Sequence, residues 1–129
     1  MKHNPRIVFV CEHGAAKSIL AATYFNQLAS QMGLDIRAIA RGTNPDDALS
    51  PQTVTGLAKD GLTPAESTPQ KLTEADLESA QHVIAFCELP AGDQSQITVQ
   101  RWDDVPPVSE NYEQARDVIV NRIHQLLER

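Results

Sequence analysis

The sequence predicts an α/β fold built on a parallel sheet, and three observations carry that expectation. Residues 7–10, Ile-Val-Phe-Val, and residues 82–86, His-Val-Ile-Ala-Phe, are short, dense apolar runs of the kind that form strands buried on both faces. Stretches of helical period follow or precede them, the clearest being 16–32 and 111–127. Strands alternating with helices in this way imply parallel pairing through right-handed crossovers.

In chain order, a first strand covers residues 6–10. A first helix covers 16–32, where Ala21, Phe25, Leu28, Ala29 and Met32 recur on one face and Gly33 provides a C-terminal stop. Leu34, Ile36, Ala38 and Ala40 then alternate with Asp35, Arg37 and Arg41, the pattern of a half-exposed second strand near a sheet edge. Residues 41–47, Arg-Gly-Thr-Asn-Pro-Asp-Asp, read as a loop. Ser50 and Pro51 open a second helix as N-cap and first helical residue, with Val54, Leu57 and Ala58 facing inward and an end at Gly61. Residues 62–70 hold two prolines and no period, which marks a surface loop. Thr73 and Asp76 resemble a capping box that starts a short helix ending near Ala80. A third strand spans 82–86 with Cys87 at its end, and a fourth, shorter one spans 97–102. The last helix runs over 111–127, with Ala115, Val118, Ile119, Ile123, Leu126 and Leu127 on one face. At 129 residues the chain is expected to form one domain, residues 1–129.

Between the first strand and its helix lies Cys11-Glu12-His13-Gly14-Ala15-Ala16-Lys17-Ser18. A strand, a tight loop and a helix start within about a dozen residues aim backbone N–H groups and the positive end of a helix dipole at one point, which makes an anion cradle. A cysteine at its lip should lose its proton more readily than a free thiol, because the dipoles that bind an oxyanion also stabilise a thiolate.

Those eight residues resemble the phosphate-binding loop of the low-molecular-weight protein tyrosine phosphatases and of the related thioredoxin-coupled arsenate reductases: a Cys, five residues, an Arg, then Ser or Thr. The resemblance implies a three-layer α/β sandwich whose four-stranded parallel sheet has the order 2-1-3-4, and it extends over nearly the whole chain through the Gly42-Thr43 turn and the Leu72-Thr73 helix start. In that order strands 1 and 3 are neighbours whose crossovers leave in opposite directions, so a ligand crevice opens at their carboxyl ends, where Cys11 and Cys87 sit. By resemblance Cys11 is the nucleophile, Ser18 stabilises its thiolate, and residues 12–16 with position 17 wrap the oxyanion. Lys17 stands where the family has Arg. An ammonium is a compact point charge without the planar fork that pairs two oxygens, so the exchange is not conservative. Gly14 stands where the family often has Asn, a milder change, since both tolerate a left-handed backbone.

Each candidate also has a plain structural reading. Cys11 is a nucleophile or a small buried hydrophobe; Lys17 is an oxyanion clamp or a solvated first-turn lysine; Ser18 is a thiolate partner or an ordinary helix serine. His13 lines the pocket or is simply solvated, and Glu12 opposes an anion unless its side chain points away. Arg41, at the end of strand 2, is either a second cation for the oxyanion or an exposed turn residue. The resemblance implies a general acid in the loop after strand 4, from an Asp-Pro pair that is absent here; Asp104 and then Asp103 are the candidates, ahead of Val105 and Pro106. Trp102 reads as a packing residue.

A formal charge of −6 and a pI near 5.1 argue against a nucleic-acid or anionic-membrane partner. The absence of an 18-residue apolar run or a signal-peptide core leads to an expectation of a cytoplasmic protein. Two cysteines are too few for a disulfide scaffold. Three functions stay open. The first is a phosphatase acting on phosphate monoesters such as phosphotyrosine through a cysteinyl-phosphate, with no metal or organic cofactor. The second is an arsenate reductase using Cys11 with Cys87 or an external thiol; the third cysteine of the family's relay is absent, so a thioredoxin-type reductant would act on a Cys11–Cys87 pair. The third is a non-catalytic binder of phosphate, sulfate or arsenate, or of a phosphoprotein.

Overall fold

The computed structural model describes residues 6–87 and 99–127. Four strands, β1 (Arg6–Cys11), β2 (Arg37–Gly42), β3 (His82–Ala85) and β4 (Val99–Arg101), form one parallel sheet in the order β2-β1-β3-β4. The helices are α1 (Lys17–Gln31), α2 (Pro51–Lys59), α3 (Glu74–Ser79) and α4 (Tyr112–Leu127). The expected order and the edge position of β2 are both present.

Strand alternation divides the core into two layers. Ile7, Phe9 and Cys11 of β1 join Ala38, Ala40, Ile84 and Phe86 beneath α1, α2 and α4, while Val8 and Val10 join Val83, Ala85 and Leu77 beneath α3. The central strand is therefore buried on both faces, as its unbroken apolar run requires. Each fully buried Val, Ile or Phe among them contributes about 1.5–3 kcal/mol. Trp102 is a packing residue: its ring lies 5.9 Å from the centroids of both Phe9 and Phe86, and the Arg122 guanidinium covers it at 5.7 Å.

Several local readings need correction. Strand 2 begins at Arg37, not Leu34, because the turn after α1 folds back: Gly33 takes φ +73° and the Leu34 amide bonds to the Ala29 carbonyl at 2.9 Å. Met32 is consequently half-exposed instead of core-facing. In α2 the buried positions are Thr53, Gly56 and Leu57, whereas Val54 and Ala58 face outward. The Tyr112 ring of α4 lies directly over Gly56, where a Cβ would come within 2.3 Å of Cε1. A missing side chain thus sets the packing face, and a search for apolar side chains overlooks it. Strand 3 stops at Ala85, and the start of strand 4 at residues 97–98 falls outside the described residues. The capping box is complete: the Asp76 amide donates to Thr73 Oγ1, and the Thr73 amide donates to Asp76 Oδ2, both at 3.1 Å.

Among the described residues, no helix is long and apolar enough to cross a membrane.

Candidate active site

The loop between β1 and α1 leaves the strand at Cys11 and turns at Gly14, whose φ of +61° is a backbone conformation open to glycine. The carbonyls of this loop face outward. Those of Cys11, Glu12, His13 and Ala15 accept bonds of 2.7–3.2 Å from the amides of Thr43, Asn44, Asp46 and Ser50. With the carbonyls so engaged, the amides turn the other way. Among the described residues, the N–H groups of Glu12 through Ser18 donate to no protein acceptor. No side chain caps α1 at Ala16, and its first turn carries no acidic residue. The free amides and the positive end of a fifteen-residue helix make a built anion cradle.

Cys11 sits beneath it, buried, with its Sγ 3.0 Å from the Oγ of Ser18, which is itself fully buried. With the sulfur ionised, the Ser18 hydroxyl is the donor in that contact. Lys17 is half-buried on the same cavity and makes no ion pair with any described residue. The cavity is about 360 Å³, and its walls include Glu12, His13, Ala15, Ala16 and Asp46 from the loop side, and Phe86, Cys87, Pro107 and Val108 opposite. This is the lower range for small-molecule sites. A cavity of about 400 Å³ between α2 and α4 holds no cysteine, and its Asp60 is occupied by Tyr112 and Arg116.

The structure therefore brings together Cys11, Glu12, His13, Ala15, Ala16, Lys17, Ser18 and Cys87, with Gly14 buried behind the loop. It does not bring in three others. Arg41 alternates with Ala40 and lies on the opposite face of the sheet from Cys11; its Nε donates to Asp76 at 2.9 Å and its Nη1 to Glu66 at 3.1 Å. It fastens the sheet edge to α3 and is not an oxyanion ligand. Asp104 makes a bidentate pair with Arg122 at 2.5 and 2.7 Å, on a separate surface hollow. Hydrogen bonds from Arg122 hold its carboxyl below the usual range, so it is neither placed nor protonated as a general acid. Asp103 pairs with Arg101 at 2.6 and 2.8 Å and is likewise absent from the cavity. The sequence reading missed Asp46, which reaches His13, with His13 Nδ1 lying 3.2 Å from Asp46 Oδ1. Its place in a loop that follows the neighbouring strand was the available signal.

Cys87 is partly buried. Burial first, and then the proximity of Cys11, push its thiol above the ordinary value, with a hydrogen bond from Thr43 acting in the opposite direction.

These features define an α/β domain with a cysteine at the floor of a strand-loop-helix anion cradle. Residues 6–118 match the family of the low molecular weight phosphotyrosine protein phosphatases, and the chain belongs to that family. Similar solved structures include YfkJ from Bacillus subtilis (22% identity, 98% of this chain and 94% of that one, TM-score 0.84). An arsenate reductase from Archaeoglobus fulgidus aligns at 23% identity over 95% of this chain and 99% of its own, TM-score 0.80. A low molecular weight protein tyrosine phosphatase from T. tengcongensis aligns at 23% identity over 96% and 98%, TM-score 0.78. The fold is thus shared by phosphatases and arsenate reductases.

Proposed function

We propose that this protein is a phosphomonoesterase that works through a cysteinyl-phosphate. The observation that carries the reading is the row of N–H groups from Glu12 to Ser18, free among the described residues, above a sulfur already in contact with a buried hydroxyl. A tetrahedral dianion seated on those amides, with Lys17 alongside, would present its phosphorus to Sγ. The S–P bond forms as the ester P–O bond breaks, and the amides and ammonium stabilise the charge spread over the equatorial oxygens. The Ser18 hydroxyl stabilises the thiolate both as attacking group and as leaving group when water hydrolyses the intermediate. The apolar wall of Phe86, Pro107 and Val108 suits an aryl ester such as phosphotyrosine.

The test is hydrolysis of p-nitrophenyl phosphate, with acid quenching to trap phosphate on the protein. Turnover that vanishes in Cys11→Ser, with label on Cys11 in the wild type, supports the reading. Turnover that survives in Cys11→Ser rejects it.

A second reading, arsenate reduction, is favoured by one observation: Cys87 opens on the same cavity as Cys11. In it, arsenate-dependent consumption of thiol reductant requires Cys87. The upward shift of Cys87 weighs against this reading, since a thiol that keeps its proton is a slow attacking group at neutral pH.

A further inference from the structure

Resting on the phosphatase reading, we propose that His13, oriented by Asp46, is the group that protonates the leaving oxygen in this chain. Among the described residues of the loop after β4 no acid lines the cavity: Asp103 and Asp104 are both bound to arginines away from it, and Glu110 is exposed outside its lining. What that loop presents to the cavity is Pro107, Val108 and Ser109. Among the described residues, the groups that can give the proton lie on the opposite wall. His13 lies on that wall two residues beyond the nucleophile, and Asp46 grips it twice: the Asp46 amide donates to the His13 carbonyl at 3.0 Å, and the carboxylate stands 3.2 Å from Nδ1. A carboxylate beside Nδ1 favours the tautomer that carries its proton there. Nε2 is left to act, since Glu12 Oε1 is 3.9 Å away, beyond hydrogen-bonding distance. Imidazole is the side chain whose ordinary titration spans neutral pH, which suits a group that must give a proton and then take one.

The step balances. Cys11 Sγ attacks phosphorus, the ester P–O bond breaks, and the Nε2 proton of the imidazolium goes to the departing alkoxide or phenoxide. The neutral imidazole then accepts a proton from the water that attacks the cysteinyl-phosphate. Inorganic phosphate leaves, and the thiolate and imidazolium are restored.

The experiment compares two esters in wild type, His13→Gln and Asp46→Asn. Phenyl phosphate needs a proton on its leaving group, whereas 2,4-dinitrophenyl phosphate does not. In His13→Gln, kcat/KM for phenyl phosphate should fall by about a hundredfold or more, the worth of a positioned acid, while the dinitrophenyl ester loses far less. Asp46→Asn, acting by position, should show the same selectivity at smaller size, and it carries the test alone if the His13 variant does not fold. The alkaline limb of the wild-type phenyl phosphate profile should be lost in His13→Gln, with Cys11, Glu12, Lys17, Asp46 and Cys87 as the other titratable groups on the cavity. Equal losses on both esters, or no loss on either, overturn the proton role while leaving the phosphatase reading standing. A wild type that hydrolyses neither ester overturns both.

Discussion

Gly14 and Gly42 meet backbone to backbone: a Cβ on Gly42 would stand 2.7 Å from the Gly14 nitrogen, and one on Gly14 would stand 3.0 Å from the Gly42 nitrogen. This contact presses the anion loop against the end of β2, which lets residues 43–50 take its carbonyls and leave its amides free. Gly42→Ala forces the two segments apart. Overpacking of this kind costs about 1–3 kcal/mol, so a lowered melting temperature is expected. Phosphate affinity should fall together with it, because the loop loses its shape. Calorimetry reads both, and a destabilised variant with unchanged phosphate affinity would show that the loop holds its form without β2.

Lys17 is the cation on the cavity with no ion pair among the described residues, at the start of a helix whose dipole disfavours it unless an anion is present. Lys17→Ala should therefore cost about two to three orders of magnitude in turnover, the worth of one oxyanion-stabilising donor. Lys17→Arg should hold or raise kcat/KM, since a fork pairs two oxygens at once. A large loss in Lys17→Arg would mean that the loop is shaped around an ammonium for a ligand other than a phosphate monoester.

Much of this was legible in the residues, for physical reasons that also explain the failures. The dense run at 7–10 can be buried on both faces only in a central parallel strand, and a strand, a turning glycine and a helix start in sequence define the anion loop locally. What the chain did not disclose depends on contacts made at a distance. The face of α2 is chosen by Tyr112 lying on Gly56, 56 residues away. Arg41 stands at the expected strand end, but it is neither a second cation for the oxyanion nor an exposed turn residue, because Glu66 and Asp76, 25 and 35 residues on, hold it on the face opposite Cys11. Asp103 and Asp104 are candidate acids in the sequence alone, and only folding shows Arg101 and Arg122 beside them.

Those two pairs give a prediction of their own. Asp103→Asn and Asp104→Asn should each keep phosphomonoesterase activity within about threefold, since neither carboxylate faces the cavity and exposed ion pairs contribute little. Initial rates on p-nitrophenyl phosphate decide it. A loss approaching the hundredfold typical of a missing acid would restore one of them as proton donor.

The two cysteines should differ in reactivity. Cys11 sits in the anion cradle, whereas burial and then its neighbour keep Cys87 protonated above the ordinary thiol range. Thiolate is the alkylated form. Iodoacetamide at pH 7 should therefore label Cys11 first and be slowed there by phosphate. Labelling of Cys87 should rise only as the pH passes above the usual thiol value. Peptide mass mapping separates the sites, and preferential labelling of Cys87 at neutral pH would favour the two-cysteine reductase reading.

Far from the cavity, Asp60 ties three helices together. Its carboxylate accepts from the Tyr24 hydroxyl of α1, from the Tyr112 hydroxyl of α4 at 2.9 Å and from Arg116 at 3.2 Å. Burial alone would raise the Asp60 carboxyl, but the two hydroxyls and the guanidinium outweigh it and the net shift is downward. The same cluster pushes Tyr24 up to about 12, by burial first and then by the bond to Asp60, and raises Tyr112 as well. A carboxyl lowered by folding adds stability above its unfolded value, and that stability is lost as the pH falls through the folded one. A phenol raised by folding adds stability that is complete below its ordinary value of 10.0 and is lost as the pH rises toward 12. Denaturant midpoints should accordingly decline at both ends. In Asp60→Asn both declines should flatten, and at neutral pH the variant should be less stable, since among the described residues Arg116 then keeps only Asp117 as an ion-pair partner. If the alkaline decline between pH 10 and 12 is as steep in Asp60→Asn as in the wild type, the tyrosines are not held by this carboxylate.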